Sequence, residues 1–534
     1  MVKRVVILGG GFGGAYTAMH LEKHLKHIKE DIEIALVNRE NYFVFQPMLA
    51  EVVGGSLGIL DTINPLRKLL PKTKLYIREI DSIDIEGQKI ILAPKYSHTP
   101  LELPYDHLVI GLGTVTDFRG MSGLHEHALP FKNLADSVAI RNQIIEVLEA
   151  AANEVNPALK QKLLTFVVGG GGFSGTEVVA EVNDLSRKLA KRYDEIDPNQ
   201  IRVILVHSKD RLMEREMPES LGHYAAKLLQ KRGVEIRFGA HLKAATPEEA
   251  VLDTGEHIPS KTVISTVPSS PNPLLEDLPL KFERGKIVTD ATMQVDGKSN
   301  VWAIGDCAAI PNLVNGGVCP PTAQFAIREA KVLAHNIASS FNGGKKEDFR
   351  FKALGMMGAL GHHSAVAELF GVFKFSGIIA WILWRMIYWM KLPGIDRKIK
   401  VAISWILDTM IPIEAVQIQA APTQGIAQLH FETGEIIFNE GDVGDYLYII
   451  VNGEVEVFSG EGAEKKLFAK LSKGEYFGEM ALLNQRARLA TVQCLTPVDV
   501  LALRKSDFGV LISNFQELRK DFEKTEKTRR KEIG

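Results

Sequence analysis

Apolar and polar positions follow three different rhythms along this chain. Val2 to Leu8 reads as a buried strand ending in the apolar run Val5 to Leu8, and a helical period runs from Phe12 to Lys26 after a cluster of glycines. A second short apolar run covers Ile32 to Val37. Short continuous apolar runs separated by helical periods predict buried parallel strands alternating with helices. The plan then recurs. Leu163 to Val168 reads as a strand, Thr176 to Arg192 as a helix and Ile201 to Val206 as a strand, followed by a helix from Leu221 to Lys231 and a strand from Val234 to Phe238. Val301 to Asp306 reads as a late strand ending in an acid, and Pro321 to about Phe341 as a helix. The first rhythm therefore predicts an α/β architecture with one such domain inserted into another.

The second rhythm covers residues 376–413. Ser376 to Met390 is apolar nearly all round, interrupted by Arg385, and four tryptophans lie in the region: Trp381, Trp384, Trp389 and Trp405. The run is about fifteen residues, whereas a spanning helix needs roughly 20. Lys391, Arg397, Lys398 and Lys400 follow it. Boundary tryptophans with a basic flank predict an amphipathic helix lying in one membrane face, against the alternative of a buried core or dimer helix. The third rhythm begins near Leu429, after a linker at Ala420 to Gly425. Short alternating runs at Glu435–Phe438, Tyr446–Val451, Glu454–Phe458 and Val498–Arg504, with glycine turns between, predict a small all-β barrel. The charged tail from Phe515 to Gly534 is expected to be a solvated helix.

Two glycine-rich turns carry the chemistry. Gly9-Gly10-Gly11-Phe12-Gly13-Gly14 follows the first strand, and Gly170-Gly171-Gly172-Phe173-Ser174-Gly175 follows Leu163 to Val168. Strand, tight glycine turn and helix start is the context that places a pyrophosphate against backbone N–H groups and a helix N-terminus. The residues expected to cradle dinucleotides are Gly9, Gly11 and Gly14 in the first turn and Gly170, Gly172 and Gly175 in the second. The predicted domains are thus Rossmann-like, and two dinucleotides held face to face suit hydride transfer. At the end of the second strand, where an acid usually meets ribose hydroxyls, stand Asn38 and Arg39. Asp306 is placed either to grip a ribitol or pyrophosphate, or simply to end a strand in a turn.

Length, charge and cysteine content narrow the classes. The chain has 534 residues, enough for about three domains, and a net charge of −2, which implies no pull toward nucleic acid. Only Cys307, Cys319 and Cys494 are present, which argues against a disulfide framework, a zinc site or a dithiol centre, so no metal site is expected. The initial apolar run is about five residues against the roughly 7–15 of a secretory signal core, so a cytoplasmic location is expected.

Further motifs resemble the type II NADH:quinone oxidoreductases, single-subunit flavoproteins that do not pump protons. Asn41 to Leu49, including Gln46, looks like that family's loop under the flavin. Gly111-Leu112-Gly113-Thr114 resembles its second flavin segment, Val301 to Asp306 its third, and Pro320-Pro321-Thr322-Ala323-Gln324 its segment between flavin and quinone. The resemblance spans about residues 1–415. It implies FAD as cofactor, NADH or NADPH as donor, a membrane quinone as acceptor, and peripheral attachment to the cytoplasmic face of the inner (plasma) membrane, with a homodimer a common state. After the second strand of the inserted domain, the usual NADH-selecting acid is replaced by His207, which leaves NADPH open; His207 is equally readable as a surface residue. Glu177 matches a family glutamate near flavin, nicotinamide and quinone that assists proton movement, although an acid in that place also serves helix N-termini as a dipole partner. Gln324 matches the first glutamine of the family's AQ-x4-Q quinone motif, and Glu329 replaces the second; a protonated Glu329 would polarise a quinone carbonyl or donate a proton.

Phe477 to Leu483 with Arg488 to Val492 resembles the phosphate-binding cassette of cyclic nucleotide-binding domains. In such a cassette Gly478 lies in the turn, Glu479 accepts a ribose 2′-hydroxyl, Arg488 pairs with the cyclic phosphate of cAMP or cGMP, and Thr491 closes the motif. Ala487 stands where that family usually has proline. The expected organisation is an FAD-binding domain over 1–112 and 281–345, an NAD(P)H-binding domain over 113–280, membrane-associating helices over 346–419 and a cyclic nucleotide-binding domain with a C-terminal helix over 420–534. Two competing functions share this scaffold: a sulfide:quinone-type flavoprotein, disfavoured by the lack of paired cysteines, and a degenerate flavoprotein acting as a redox and cyclic nucleotide sensor.

Overall fold

The computed structural model describes residues 2–28, 31–95, 99–118, 121–266, 269–411, 415–417, 426–442, 444, 446–460, 465–484, 487–505, 508, 520, 522 and 524. The linker from Ala420 to Gly425 and most of the tail from Phe515 to Gly534 lie outside the described residues. The chain forms two compact units, residues 1–77 with 105–419, and residues 78–104 with 420–534.

The first unit opens with strand β1 (Lys3–Leu8), whose Val5, Val6, Ile7 and Leu8 are fully buried. Helix α1 (Phe12–His24) follows directly on the glycine turn. Strand β2 (Ile32–Asn38), helix α2 (Leu49–Gly54) and strands β3 (Lys74–Ile77) and β4 (His107–Ile110) come next. The inserted domain supplies β5 (Ala128–Pro130), α3 (Leu134–Asn153), β6 (Thr165–Gly169), α4 (Phe173–Ala190), β7 (Arg202–His207), α5 (Glu219–Lys231), β8 (Val234–Phe238) and β9 (Thr262–Ser265). The chain then returns through β10 (Val301–Ala303) to α6 (Ala323–Asn342).

The two sheets repeat one topology. The first is ordered β10-β4-β1-β2-β3 and the second β5-β9-β6-β7-β8. Every pairing in both is parallel. In each sheet the glycine turn leaves the carboxyl end of the central strand, where the strand order reverses direction, which is where α/β sheets bind ligands.

Three segments differ from the reading of the sequence. Leu163 closes a helix (Pro157–Leu163) rather than opening the strand, because Asn156 caps that helix through the Ala158 and Leu159 N–H groups and Pro157 favours its first turn. The late strand stops at Ala303; Gly305 adopts φ +73°, and Asp306 falls in a single 3₁₀ turn over Gly305–Cys307. The described part of the apolar region, 376–411, contains two helices, α7 (Gly377–Lys391) and α8 (Ile395–Met410), broken at Pro393 and Gly394. A three-stranded antiparallel sheet (Gly355–Ala359, Ala365–Leu369, Phe373–Ser376) leads into α7.

The two helices are amphipathic rather than apolar all round. Ile378, Ile382, Met386 and Met390 on α7, and Ile395, Ile399, Ile403 and Met410 on α8, are exposed. Trp384 and Arg385 are buried instead, and Arg397 leaves the expected basic flank: it is 6 % exposed and donates to the Leu60 carbonyl. A buried guanidinium bonded to a protein carbonyl is not available to lipid headgroups, so Lys391, Lys398 and Lys400 alone remain of that flank. Among the described residues no helix is long and apolar enough to cross a membrane.

The second unit contains two four-stranded antiparallel sheets. One is ordered Ile426–Phe431, Val498–Arg504, Tyr446–Asn452, Tyr476–Phe477; the other Ile436–Phe438, Thr491–Cys494, Val455–Ser459, Lys466–Leu471. Alternating residues such as Ile437, Ile450, Val455, Val492, Val498 and Val500 fill the space between them. Residues 78–104 contribute a further three-stranded sheet to this unit, where Lys505 Nζ lies 3.1 Å from Asp81 Oδ1.

Candidate active site and nucleotide pockets

The two glycine turns are built alike. Gly9 and Gly170 adopt φ +99° and +107°, in the region that favours glycine. A Cβ on Gly14 would lie 1.9 Å from the Gly9 carbonyl oxygen, and one on Gly175 would lie 1.7 Å from that of Gly170. Neither α1 nor α4 has a side-chain cap or an acid in its first turn. The first N–H groups and the positive end of α1 therefore face the turn with no acid of the helix on them, whereas at α4 the Glu216 carboxyl lies beside the turn. Around Gly11 a Cβ would meet nothing within 4 Å, whereas at Gly172 it would come within 3.2 Å of Glu216 Oε1. Both turns fit a dinucleotide pyrophosphate, and the second is the tighter.

The strand-end side chains brace these turns. Asn38 Oδ1 accepts from the Gly10 N–H at 2.8 Å, and its Nδ2 donates to the Glu40 carbonyl at 2.7 Å. His207 Nδ1 accepts from the Gly171 N–H at 3.1 Å. Burial lowers the His207 pKa, which keeps the ring neutral and its Nδ1 an acceptor. Two unrelated residue types thus do one job in matching places. Arg39 is exposed and stands 3.8 Å from Glu40.

On the flavin-motif side, Gln46 is exposed at the start of a one-turn helix, beside the buried Phe43 and Phe45. Thr114 Oγ1 accepts from Lys132 Nζ at 2.6 Å. Burial lowers the Lys132 pKa, and the nearby Asp306 opposes that shift. Lys132 was not distinguished by the sequence; its only local mark is the capping box Asn133–Asp136 that starts α3 and orders the loop before it. Glu329 Oε2 accepts from the Gly305 N–H at 3.1 Å, and burial raises its pKa to about 7.

Glu177 and Gln324 meet the same strand. Glu177 Oε1 accepts from the Ala359 N–H at 3.0 Å, and burial raises its pKa to about 8. Gln324 Oε1 accepts from the Leu354 N–H at 2.8 Å while its Nε2 donates to the Gly355 carbonyl at 3.0 Å. Gln324 therefore anchors the beginning of Gly355–Ala359 and Glu177 its end. Glu329 is turned away from both, toward Gly305 and Cys319, as its five-residue offset on α6 requires. Glu177 is thus protonated near neutral pH, and Glu329 is poised to exchange a proton there.

In the second unit a pocket is lined by Phe438, Val457, Leu471, Gly478, Glu479 and Arg488, among others. Gly478 adopts φ +92°. Arg488, 4 % exposed, donates to the Gly478 carbonyl at 2.7 Å and the Tyr446 carbonyl at 2.8 Å, and lies 4.0 Å over the Phe438 ring. Glu479 is 1 % exposed. An acid and a guanidinium set in an apolar wall can orient a small polar anion. Thr491 does not line the pocket; its Oγ1 accepts from the Glu440 N–H at 3.0 Å.

Comparisons with known proteins follow the same division. Residues 3–330 match the pyridine nucleotide-disulphide oxidoreductase family, residues 354–412 the NDH2 C-terminal domain, and residues 428–515 the cyclic nucleotide-binding domain. The chain is 30 % identical over 409 residues to demethylphylloquinone reductase NdbB of Synechocystis, covering 76 % of this chain and 95 % of that protein. It is 29 % identical over 445 residues to the type II NADH:quinone oxidoreductase Ndh of Mycobacterium tuberculosis, covering 80 % and 92 %. Among solved structures it resembles NDH2 from Plasmodium falciparum in complex with NADH, with a TM-score of 0.71 at 18 % identity, over 78 % of this chain and all of that one.

Proposed function

The chain belongs to the pyridine nucleotide-disulphide oxidoreductase family, among the type II NADH:quinone oxidoreductases, and on that premise we propose that it passes electrons from NAD(P)H through FAD to a membrane quinone without pumping protons. The observation that carries this reading is the pair of uncapped glycine turns on two sheets of identical topology, with the half-buried acid Glu177 on the helix that leaves the second turn.

The first turn, with Gly9, Gly11 and Gly14, would hold the FAD pyrophosphate, with Asn38 bracing it; Gln46, Thr114, Lys132 and Asp306 would surround the rest of that group. Bound FAD supplies the two-electron carrier that accepts hydride from the nicotinamide and yields electrons to the quinone. The second turn, with Gly170, Gly172, Gly175 and its brace His207, would hold the nicotinamide dinucleotide. A neutral His207 offers a 2′-phosphate no charge, which supports NADH over NADPH. Glu177, protonated near neutral pH, would give a proton to the reduced acceptor, and the hydrogen bonds of Gln324 to the same strand support that role. Glu329 holds Gly305 and so the loop bearing Asp306. The exposed apolar faces of α7 and α8 support peripheral attachment to a membrane surface, where a quinone enters. Cys307 and Cys319 are buried and unpaired, which gives sulfide chemistry no cysteine couple. The barrel pocket, with Glu479 and Arg488, supports binding of a cyclic nucleotide that regulates the body.

The test uses the full FAD-loaded chain on liposomes containing a menaquinone. NADH consumption that requires the quinone, and that sulfide does not replace, is the expected result. NADH oxidation indifferent to quinone would overturn the assignment. Calorimetry with cAMP and cGMP, repeated on Arg488→Ala, tests the barrel: loss of heat in the variant is expected, and equal affinity counts against the pocket.

A further inference from the structure

Helix α4 carries three carboxyls at spacings of four and three, Glu177, Glu181 and Asp184, which place them on one face. Glu181 is 7 % exposed and packs on Gly54 of α2, where a Cβ would lie 1.9 Å from Glu181 Oε2. One turn earlier on α2, Glu51 is 4 % exposed; its Oε1 accepts from Arg385 Nη2 at 3.1 Å and its Oε2 from Trp405 Nε1 at 2.9 Å. The same Arg385 Nη2 stands 3.6 Å from Asp408 Oδ2. The Asp408 carboxyl is only 3 % exposed, yet neither oxygen receives a hydrogen bond. His362 Nδ1 lies 3.9 Å from it, on a ring that reaches solvent.

One buried cation therefore meets two buried carboxyls, Glu51 of α2 and Asp408 of α8, and its charge also acts on a third, Glu181 of α4. Were all three ionised, the cluster would hold two uncompensated negative charges in a medium that tolerates them poorly. Burial and the neighbouring carboxyls Asp184, Glu51 and Asp408 push Glu181 far above the usual carboxylate range, with Arg385 opposing. Burial also raises Glu51, again against Arg385, and Glu51 in turn raises Glu177. The other titratable group beside Glu177 is the half-buried Tyr388 phenol, whose pKa is pushed up by desolvation.

We propose that Glu181 and Glu51, set beside Arg385, form a proton reservoir that links solvent at His362, past the Asp408 carboxyl, to Glu177. The proposal rests on the quinone reductase reading and adds its proton supply. A hydride from NADH brings two electrons and one proton, whereas a quinol takes up two electrons and two protons. The second proton comes from water, and the reservoir carries it. Glu177 and Glu181 are one helical turn apart, about 5–6 Å between Cβ atoms, which side-chain rotation or one intervening water spans. Glu181 and Asp408 are relay residues in this scheme, and Arg385 is a positioning residue that fixes how many protons the cluster keeps.

The test compares the full FAD-loaded chain with Glu181→Gln and Asp408→Asn. Infrared titration of the wild-type protein should show a protonated carboxylic acid persisting above neutral pH, and Glu181→Gln should remove part of that band. In stopped flow, bleaching by NADH should stay within about twofold, while reoxidation by a short-chain naphthoquinone slows at least about tenfold and becomes steeper in pH. Three results would overturn the proposal: no acid band above neutral pH in the wild type, unchanged reoxidation in folded variants, or equal slowing of both half-reactions, which marks a structural ion pair. A wild type that NADH bleaches but quinone never reoxidises would instead remove the function on which the proposal stands.

Discussion

The helices that leave the two glycine turns start from the same geometry and end with different tasks. Helix α1 buries Phe12, Ala15, Thr17, Ala18 and Leu21 and carries no acid in its first turn. Its buried face is apolar apart from Thr17, whose hydroxyl bonds back to the Gly13 carbonyl, so that face only packs. Helix α4 buries Val178, Val179, Val182 and Leu185 in the same way, yet lines one side with Glu177, Glu181 and Asp184. A shared backbone turn thus leaves the helix face free to diverge. One helix face is apolar, and the other adds a row of acids. The same divergence holds for the braces, since Asn38 and His207 accept the equivalent glycine N–H with different chemistry.

The comparison breaks most sharply at the turns themselves. Gly14→Ala and Gly175→Ala each drive a Cβ into a backbone carbonyl, a clash costing about 1–3 kcal/mol or more. The first variant should lose FAD and emerge colourless; the second should keep its flavin spectrum but no longer be bleached by NADH, and absorbance alone separates them. If both variants behave alike, the two cradles do not hold different ligands.

Glu177→Gln sharpens the difference between the helix faces. The folded pKa of about 8 exceeds the ordinary 4.5, so between those values the native state holds a proton that the unfolded chain releases. Stability should therefore fall as pH rises through that window, by on the order of a few kcal/mol, and the variant should flatten this fall in denaturant titrations. Its quinone reduction should drop by about 10² or more while hydride acceptance survives. A variant with the wild-type pH slope would show that this carboxyl is not held protonated.

Replacing the braces is a milder test. Asn38→Ala and His207→Ala each remove one acceptor from a glycine N–H, worth about 1 kcal/mol. Asn38→Ala should weaken FAD affinity several-fold, and His207→Ala that of NADH, each measured by fluorescence titration. The smallest effect is expected at Arg39, whose pair with Glu40 is open to solvent: Arg39→Ala should change stability by less than about 0.5 kcal/mol and leave flavin content intact. A large flavin loss there would give this guanidinium a direct contact with the cofactor.

Much of this architecture was legible in the sequence because buried parallel strands, glycine turns and barrel strands each write a local pattern. Val5 to Leu8 and Val234 to Phe238 lie where their apolar runs place them, and the cassette around Arg488 closes a pocket. The break at Pro393 was also written locally, yet the density of apolar residues around it masked the helix ends. Long-range contacts were not legible. Nothing near Arg385 announces that Glu51 lies against it, 334 residues earlier, or that Arg397 turns inward to Leu60. Asn38 and His207 stood at the expected strand ends, but their use as braces depends on the turn folding back over them. Lys132 carries no motif and is found only through Thr114 and Asp306.

On the proposed function, two different dinucleotides occupy the two cradles and exchange hydride. An anaerobic titration of the FAD-loaded chain with NADH measures this most directly. The account predicts loss of the oxidised flavin band at one NADH per bound flavin, and its full return when quinone is added. A flavin band that neither NADH nor NADPH diminishes would contradict it.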